Sequence, residues 1–333
     1  MQVVRLGKLP SDVVREVIVR AQDMTDPRHG CEPTKRPIQE HIRLGVINLD
    51  KPVGPTSHEI AAWVKRVLEI GRAGHSGTLD PKVSGILPVA LENATKLTQV
   101  LLPAGKEYVC VMHLHGEVPE HRLTQVLREF EGEIHQRPPI RAAVKRVLRT
   151  RRIYYIELLE REGRDVLMRV GCEAGTYIRK LLFDVGEALG CGAHMAELRR
   201  TRAGPFSEDE TLTKLHDLAD AYAFWREEGV EDHLRKAIMP VEAAVRHLPK
   251  IAVRDGAVDA LCHGASLAAP GVLTLETGIS RGDVVALMTL KGELIALAKA
   301  EMASKQILEA EHGIVAKPER VVMLPGAYPR KWR

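Results

Sequence analysis

The chain has 333 residues, 45% of them apolar and 28% charged, with a formal net charge of +4. That length allows two domains and a substantial core, and the mixed composition excludes a disordered, collagenous or membrane-embedded chain. The weak net charge permits a nucleic-acid partner without demanding one, and 4% aromatics excludes an extended platform of stacked bases.

Cys31, Cys110, Cys172, Cys191 and Cys262 are odd in number, far apart and without C-x-x-C spacing. Neither a disulfide framework nor a zinc site is expected, and a reducing cytoplasm fits best. No apolar run reaches membrane length, and the N-terminus has no signal-peptide pattern.

Residues 1–40 read as an N-terminal extension, too small for its own core and so expected to pack on another domain. Within it Val13 to Val19 suits a strand. Pro27, Gly30, Pro33 and Pro37 make Asp26 to Pro37 an irregular linker. Gly45 to Asp50 is a buried-strand candidate, stopped by Lys51-Pro52-Val53-Gly54-Pro55. Ser57 reads as the cap of a helix through Leu68, with Ile60, Ala61, Val64 and Val67 on one face. Lys51-Pro52 reads as a structural turn ahead of any catalytic role.

Gly74 to Gly85 mixes glycine, proline and hydroxyl residues between two apolar segments, so it reads as a loop anchored at both ends. Its one carboxylate is Asp80. Pro81 biases Asp80 toward extended backbone and so sets the direction of its side chain. Arg72, His75 and Lys82 nearby favour the ionised form. Taken alone, Asp-Pro in such a loop is a common turn initiator.

Ala94 to Leu102 reads as a helix and Lys106 to His115 as a strand by alternation. His113 and His115 share one face of that strand, but no third ligand is placed by the sequence and no metal is expected. Leu123 to Phe130 is helical. Arg141, Lys145, Arg146, Arg149, Arg151 and Arg152 follow with no acidic residue as far as Ile156. They read as a basic loop ahead of a strand Ile153 to Leu159, suited to phosphate contacts.

Asp165 to Cys172 is a strand. Gly175-Thr176-Tyr177-Ile178-Arg179 turns into a helix Lys180 to Leu189 closed by Gly190. Arg179 falls in the first turn, where the helix dipole disfavours a cation and a nearby carboxylate would offset the cost. Glu197 to Arg202 is a basic strand. Residues 207–247 read as apolar helical sequence bridging to the next unit. From Pro249 short apolar runs alternate with glycine, including the hairpin turn Lys291-Gly292, so a small β domain is expected.

Gly45 to Ser57, His75 to Val89 with its Gly-Thr-Leu-Asp-Pro core, Lys106-Glu107-Tyr108 and Gly175 to Arg179 together resemble the ordered motifs of the TruB-type pseudouridine synthases. Lys250 to Met323 resembles a PUA domain, an RNA-binding β barrel. The N-terminal extension, Gly45 to Glu59 and the ending Tyr328-Pro329-Arg330-Lys331-Trp332 are most similar to the archaeal dyskerin branch, the catalytic subunits of box H/ACA ribonucleoproteins. The implied fold is α+β: a mixed, largely antiparallel pseudouridine synthase domain over 41–248 and a PUA domain with C-terminal tail over 249–333.

The resemblance implies the isomerisation of uridine to pseudouridine in rRNA, and in tRNA, with no cofactor. Asp80 matches the essential aspartate, acting on ribose, on base or as proton acceptor. Arg179 matches the arginine that pairs with it. Tyr108 matches the aromatic that stacks on uracil, Leu198 an apolar wall, and His75 a histidine filling the space of a flipped nucleotide. Ile178 lines the same pocket or belongs to the core. The basic run from Arg141 to Arg152 matches a thumb loop on the substrate. Implied partners are an H/ACA guide RNA, the substrate RNA, and Gar-type, Nop-type and kink-turn-binding ribosomal-type proteins; no membrane is implied. Two alternatives stand beside this: a stand-alone synthase acting in the tRNA T loop, and a non-catalytic RNA-binding scaffold.

Overall fold

The computed structural model describes residues 7–138 and 147–330 of the chain. Its first strand, β1 (Val17–Val19), is short. The second, β2 (Gly45–Lys51), is buried along nearly all its length. Val46 points to one apolar cluster, and Ile47 and Leu49 to another. A strand apolar on both faces belongs inside a sheet covered on both sides.

Around β2 the chain adds β3 (Ala73–His75), β4 (Ser84–Leu91), β5 (Lys106–Leu114), β6 (Gly132–Gln136), β7 (Arg149–Glu162), β8 (Asp165–Cys172) and β9 (Ala193–Ala203). The short strands β10 (Phe206–Ser207), β11 (Leu212–Thr213) and β12 (Met239–Pro240) complete the sheet. Its main order is β11-β2-β4-β9-β5-β8-β7-β6. Most neighbours are antiparallel, but β4 and β9 pair in parallel, as do β11 and β2. The sheet is therefore mixed. The parallel β4–β9 seam joins its two halves, and the loop before β4 and the Tyr108 end of β5 flank it.

Helices cover this sheet. α1 (Ile38–Arg43) precedes β2, and α2 (Ser57–Val67) packs Ile60 and Val64 onto it. The N-cap of α2 is Thr56. Its hydroxyl accepts from Glu59 N while Glu59 accepts from Thr56 N, a reciprocal capping box. Ser57 is therefore the first helical residue, not the cap. The segment read as one helix from Ala94 is a 3-10 turn, Glu92–Leu97, followed by a single α turn, α3 (Thr98–Leu101). α4 (Glu120–Glu129) and α5 (Ile178–Leu189) bury Leu123, Val126, Leu182 and Val185 against β5 and β8. α5 ends at Gly190, whose φ of +79° is left-handed.

Residues 207–247 are a mixture, not simply a helical bridge. α6 (Leu215–Glu228) and α7 (Asp232–Ala237) pack Leu218 and Leu234 on the β2 side of the core, and three short strands lie among them. The basic run also differs from its sequence reading. Its last three basic residues, Arg149, Arg151 and Arg152, are in β7, which pairs with β6 from Arg149 onward. Arg141, Lys145 and Arg146 lie outside the described residues.

The C-terminal part is a second sheet, from β13 (Lys250–Val253), β14 (Leu267–Ala268), β15 (Val272–Glu276), β16 (Val284–Met288), β17 (Leu294–Ala300) and β18 (Ile314–Val321). Its order is β1-β15-β13-β16-β17-β18-β14, so the N-terminal strand closes one edge. Asp255–Cys262, read as strand sequence, is the helix α8, and Ser304–Glu309 is α9. The two sheets share one apolar cluster: Val46, Ile86, Leu97 and Val241 meet Ala286, Met288, Leu294 and Leu297. At its rim Arg36 donates to both carboxylate oxygens of Glu242 at 2.7 and 2.9 Å, and Glu242 accepts from Leu294 N. The N-terminal segment divides its contacts. Residues 17–31 lie on the second sheet, while Gly7 N donates to Glu157 and Arg202 pairs with Asp12 on the first.

Candidate active site

The glycine-rich loop is held by its backbone. Leu79 and Val83, both 3% exposed, are buried anchors on either side of Asp80. Ser57 fixes the first: its hydroxyl accepts from Leu79 N at 2.8 Å and donates to Leu79 O. Val83 N donates to Asp80 O, closing a turn over Pro81. Lys51 is fully buried and donates to the carbonyls of Pro52 and Val83, both at 2.8 Å. Burial pushes its pKa down, with the Arg200 charge adding to that and Asp80 opposing it. The reading of Lys51 as a structural element fits this arrangement. Asp80 is left pointing outward from a fixed frame.

Arg179 is the second residue of α5. The residue before that helix, Tyr177, is gripped on both sides by buried Gln136, which accepts from its N–H at 3.0 Å and donates to its carbonyl at 3.2 Å. Thus positioned, Arg179 Nη2 lies 2.5 Å from Asp80 Oδ2. The side chains are 52% and 59% exposed, so the pair stands open to solvent. The carboxylate also supplies the offset that a cation at a helix N-terminus requires.

Tyr108 is the third residue of β5 and is half-buried. It lies opposite Arg200 on β9. Burial pushes its hydroxyl pKa up, and the Arg200 guanidinium opposes that. Its two predecessors are anchors. Lys106 donates to the carbonyls of Leu101, Leu102 and Ala104, and burial drives its pKa down to about 7. Glu107 accepts from Tyr155 and Thr201. Leu198 is half-buried, opposite Cys110 on β5.

His75 ends β3 and meets His58 edge-on at a centroid distance of 4.9 Å. Burial lowers its pKa, and His58 adds to the effect. Ile178 is 3% exposed and packed with Leu181 and Leu182, in the core beneath α5. On β7, Arg151 turns back to donate to Thr150 O and faces Glu173 at 3.8 Å, while Arg152 is exposed. His113 pairs with Asp165 at 2.7 Å and His115 with His194 at 2.9 Å. Among the described residues no group of three or more His, Cys, Asp or Glu is placed to hold a metal ion.

Sequence reading missed Gln136, Arg200 and the loop-holding role of Ser57. Ser57 carried a signal: Thr56 has glutamate three residues later, so Thr56 completes the box and Ser57 is left for another task.

Four family descriptions tile the chain. "DKCLD (NUC011) domain" matches residues 8–61, "TruB family pseudouridylate synthase (N terminal domain)" 65–178, "tRNA pseudouridylate synthase B C-terminal domain" 179–246 and "PUA domain" 249–322. A protein of Methanopyrus kandleri named as a probable tRNA pseudouridine synthase B is 62% identical over 325 residues, covering 98% of this chain and 96% of its own. The chain belongs to the TruB family of pseudouridine synthases. The Pyrococcus furiosus member of the same name is also 62% identical, over 97% of this chain and 96% of its own. Among solved structures, a chain of an H/ACA RNP bound to a substrate RNA containing 2'-deoxyuridine superposes with a TM-score of 0.93 at 60% identity, covering 98% of this chain and all of that one. A chain of a Cbf5-Nop10-Gar1 complex gives 0.93 at 62%, covering 97% and 98%. The TruB-type synthase has its α+β fold here, with the PUA domain attached through a shared core. No helix among the described residues is long and apolar enough to cross a membrane.

Proposed function

We propose that this pseudouridine synthase is the catalytic subunit of an H/ACA ribonucleoprotein and isomerises uridines in rRNA under the direction of a guide RNA. The observation that carries the site assignment is the Asp80–Arg179 pair, 2.5 Å apart and open to solvent. A carboxylate oriented by a guanidinium can attack ribose or base, or take a proton from the sugar. Tyr108 offers the pocket an aromatic face, Leu198 an apolar wall, and His75 fills the space a flipped nucleotide leaves. A uridine in a duplex cannot reach Asp80, so the target base is unpaired or extruded before reaction.

In this reading residues 41–248 form the catalytic unit and 249–333 the guide-RNA-binding PUA unit, with residues 1–40 lying largely against the latter. The basic run Arg141, Lys145, Arg146, Arg149, Arg151 and Arg152 contacts RNA phosphates. The partners are the guide and substrate RNAs with Gar-type, Nop-type and kink-turn-binding proteins. The protein acts in the cytoplasm of an archaeon; its five free cysteines support a reducing compartment.

A second reading is carried by the relatives' name: direct action on the tRNA T loop without a guide. Turnover separates the two. Target RNA incubated with the full chain, partner proteins and guide is expected to gain pseudouridine, and omitting the guide to abolish the gain. Equal turnover of naked tRNA without guide overturns the guided reading in favour of the second.

A further inference from the structure

Arg200 is a charge in an unusual place. It is 1% exposed, and among the described residues no carboxylate pairs with it. Its charge disfavours the protonated forms of Lys51, Lys106 and His75, and favours the ionised forms of Cys172 and Tyr108, both of which burial holds protonated. A buried guanidinium without an anion is costly to keep. Its hydrogen bonds show what it does instead. Nε donates to Ile86 O of β4 at 2.7 Å, and Nη2 reaches Gly77 O of the catalytic loop at 3.3 Å. Tyr108 is its neighbour across the β9–β5 ladder, close enough for the guanidinium to hold back the rise that burial gives the Tyr108 pKa. Its backbone is equally constrained. It lies opposite Tyr108 on one side and Gly85 on the other, and a Cβ at position 85 would fall 2.2 Å from Arg200 O.

We propose that Arg200 is a positioning residue for the isomerisation: it locks the Asp80 loop, through Gly77, to Tyr108 across the β4–β9–β5 seam. The inference rests on the proposed function, because it presumes that Asp80 and Tyr108 share one reacting nucleotide.

The test uses the full chain assembled with guide, target and partner proteins, and compares wild type with Arg200→Met, Arg200→Lys, Tyr108→Phe and the Arg200→Met/Tyr108→Phe double variant. Misplacing reacting groups by about an ångström costs about 100-fold. Arg200→Met is therefore expected to lower single-turnover rate about 100-fold while target-RNA Kd stays within about threefold. Arg200→Lys keeps the charge but not the fork, and is expected to recover part of the rate. The double variant is expected to be less impaired than the product of the single losses. A structural readout runs alongside: ultraviolet titration, assigned by difference against Tyr108→Phe, is expected to show Tyr108 ionising at higher pH in Arg200→Met. If Arg200→Met fails to fold, Arg200→Lys decides alone. Full wild-type rate in Arg200→Lys, or multiplicative losses with an unmoved Tyr108 titration, overturns the inference. An inactive wild-type assembly overturns the functional reading instead.

Discussion

Arg179 and Asp80 are separated by 99 positions in sequence, yet the guanidinium of one donates to the carboxylate of the other at 2.5 Å. The first comes from the opening turn of α5 and the second from the loop between β3 and β4. Both stand more than half exposed. Exposed ion pairs add about 0–1 kcal/mol to stability. An arrangement that needs two anchored segments for so little stabilisation supports the proposed catalytic role of the pair over a role in folding.

Stability of the pair's variants follows from that. Arg179→Met is expected to change unfolding free energy by less than about 1 kcal/mol while lowering turnover by orders of magnitude. Denaturant melts beside single-turnover assays check this. Unfolding comparable to a core truncation would show that the pair is structural.

The loop frame predicts a sharper response at Gly85. Its φ is +101°, and an added Cβ would meet the Arg200 backbone oxygen at 2.2 Å. Both the strand seam and the backbone must deform to accept alanine. Gly85→Ala is expected to cost at least about 2 kcal/mol and to lose activity with it. Gly54 has a φ of +117° but nothing within 4 Å of its added Cβ. Gly54→Ala should therefore show the cost of backbone conformation alone, and a cost equal to that of Gly85→Ala would contradict the contact with Arg200.

The shared core makes the two sheets one unit in stability. Leu297 lies on β17 but is fully buried in the cluster that also holds Val46 and Ile86. Leu297→Ala is expected to cost about 2–5 kcal/mol and to lower the melting of both sheets together. Separate transitions for the two halves in calorimetry would count against this coupling.

Acid should loosen the same region. Burial drives the His247 pKa down to about 4 from its ordinary 6.5, with the Val100 carbonyl partly opposing. Between these values the unfolded chain binds more protons than the folded one, so stability falls as pH drops from 6.5 toward 4. The loss from this one group is about 3 kcal/mol at most. His247→Gln is expected to flatten that part of the stability–pH curve, measured by denaturant melts across the window. A curve of unchanged slope would contradict the burial of a neutral imidazole.

Much of this was legible in the residues. β2 could be read because Val46, Ile47 and Leu49 are apolar on both faces, and α5 because Gly190 supplies the left-handed stop. The Asp80 loop announced itself through glycine and proline. What failed did so for local reasons. The α8 segment carries Val258, Leu261 and Cys262 at helical spacing, all buried, but glycines around it suggested strands and turns. The basic run looked like a loop because charge dominates it, whereas β7 alternates, with Ile153 and Tyr155 inward. Gln136 and Arg200 gave no local signal, since each acts on a segment at least forty residues away.

The central claim is that Asp80 performs the chemistry while the rest of the chain holds RNA. The most direct measurement is pseudouridine formation by Asp80→Asn in the guided assembly, with guide- and target-RNA binding measured on the same preparation. Product formation is expected to vanish while both affinities stay within about threefold, as the removal of one exposed charge allows. Retained turnover, or lost RNA binding with intact turnover, would contradict the account.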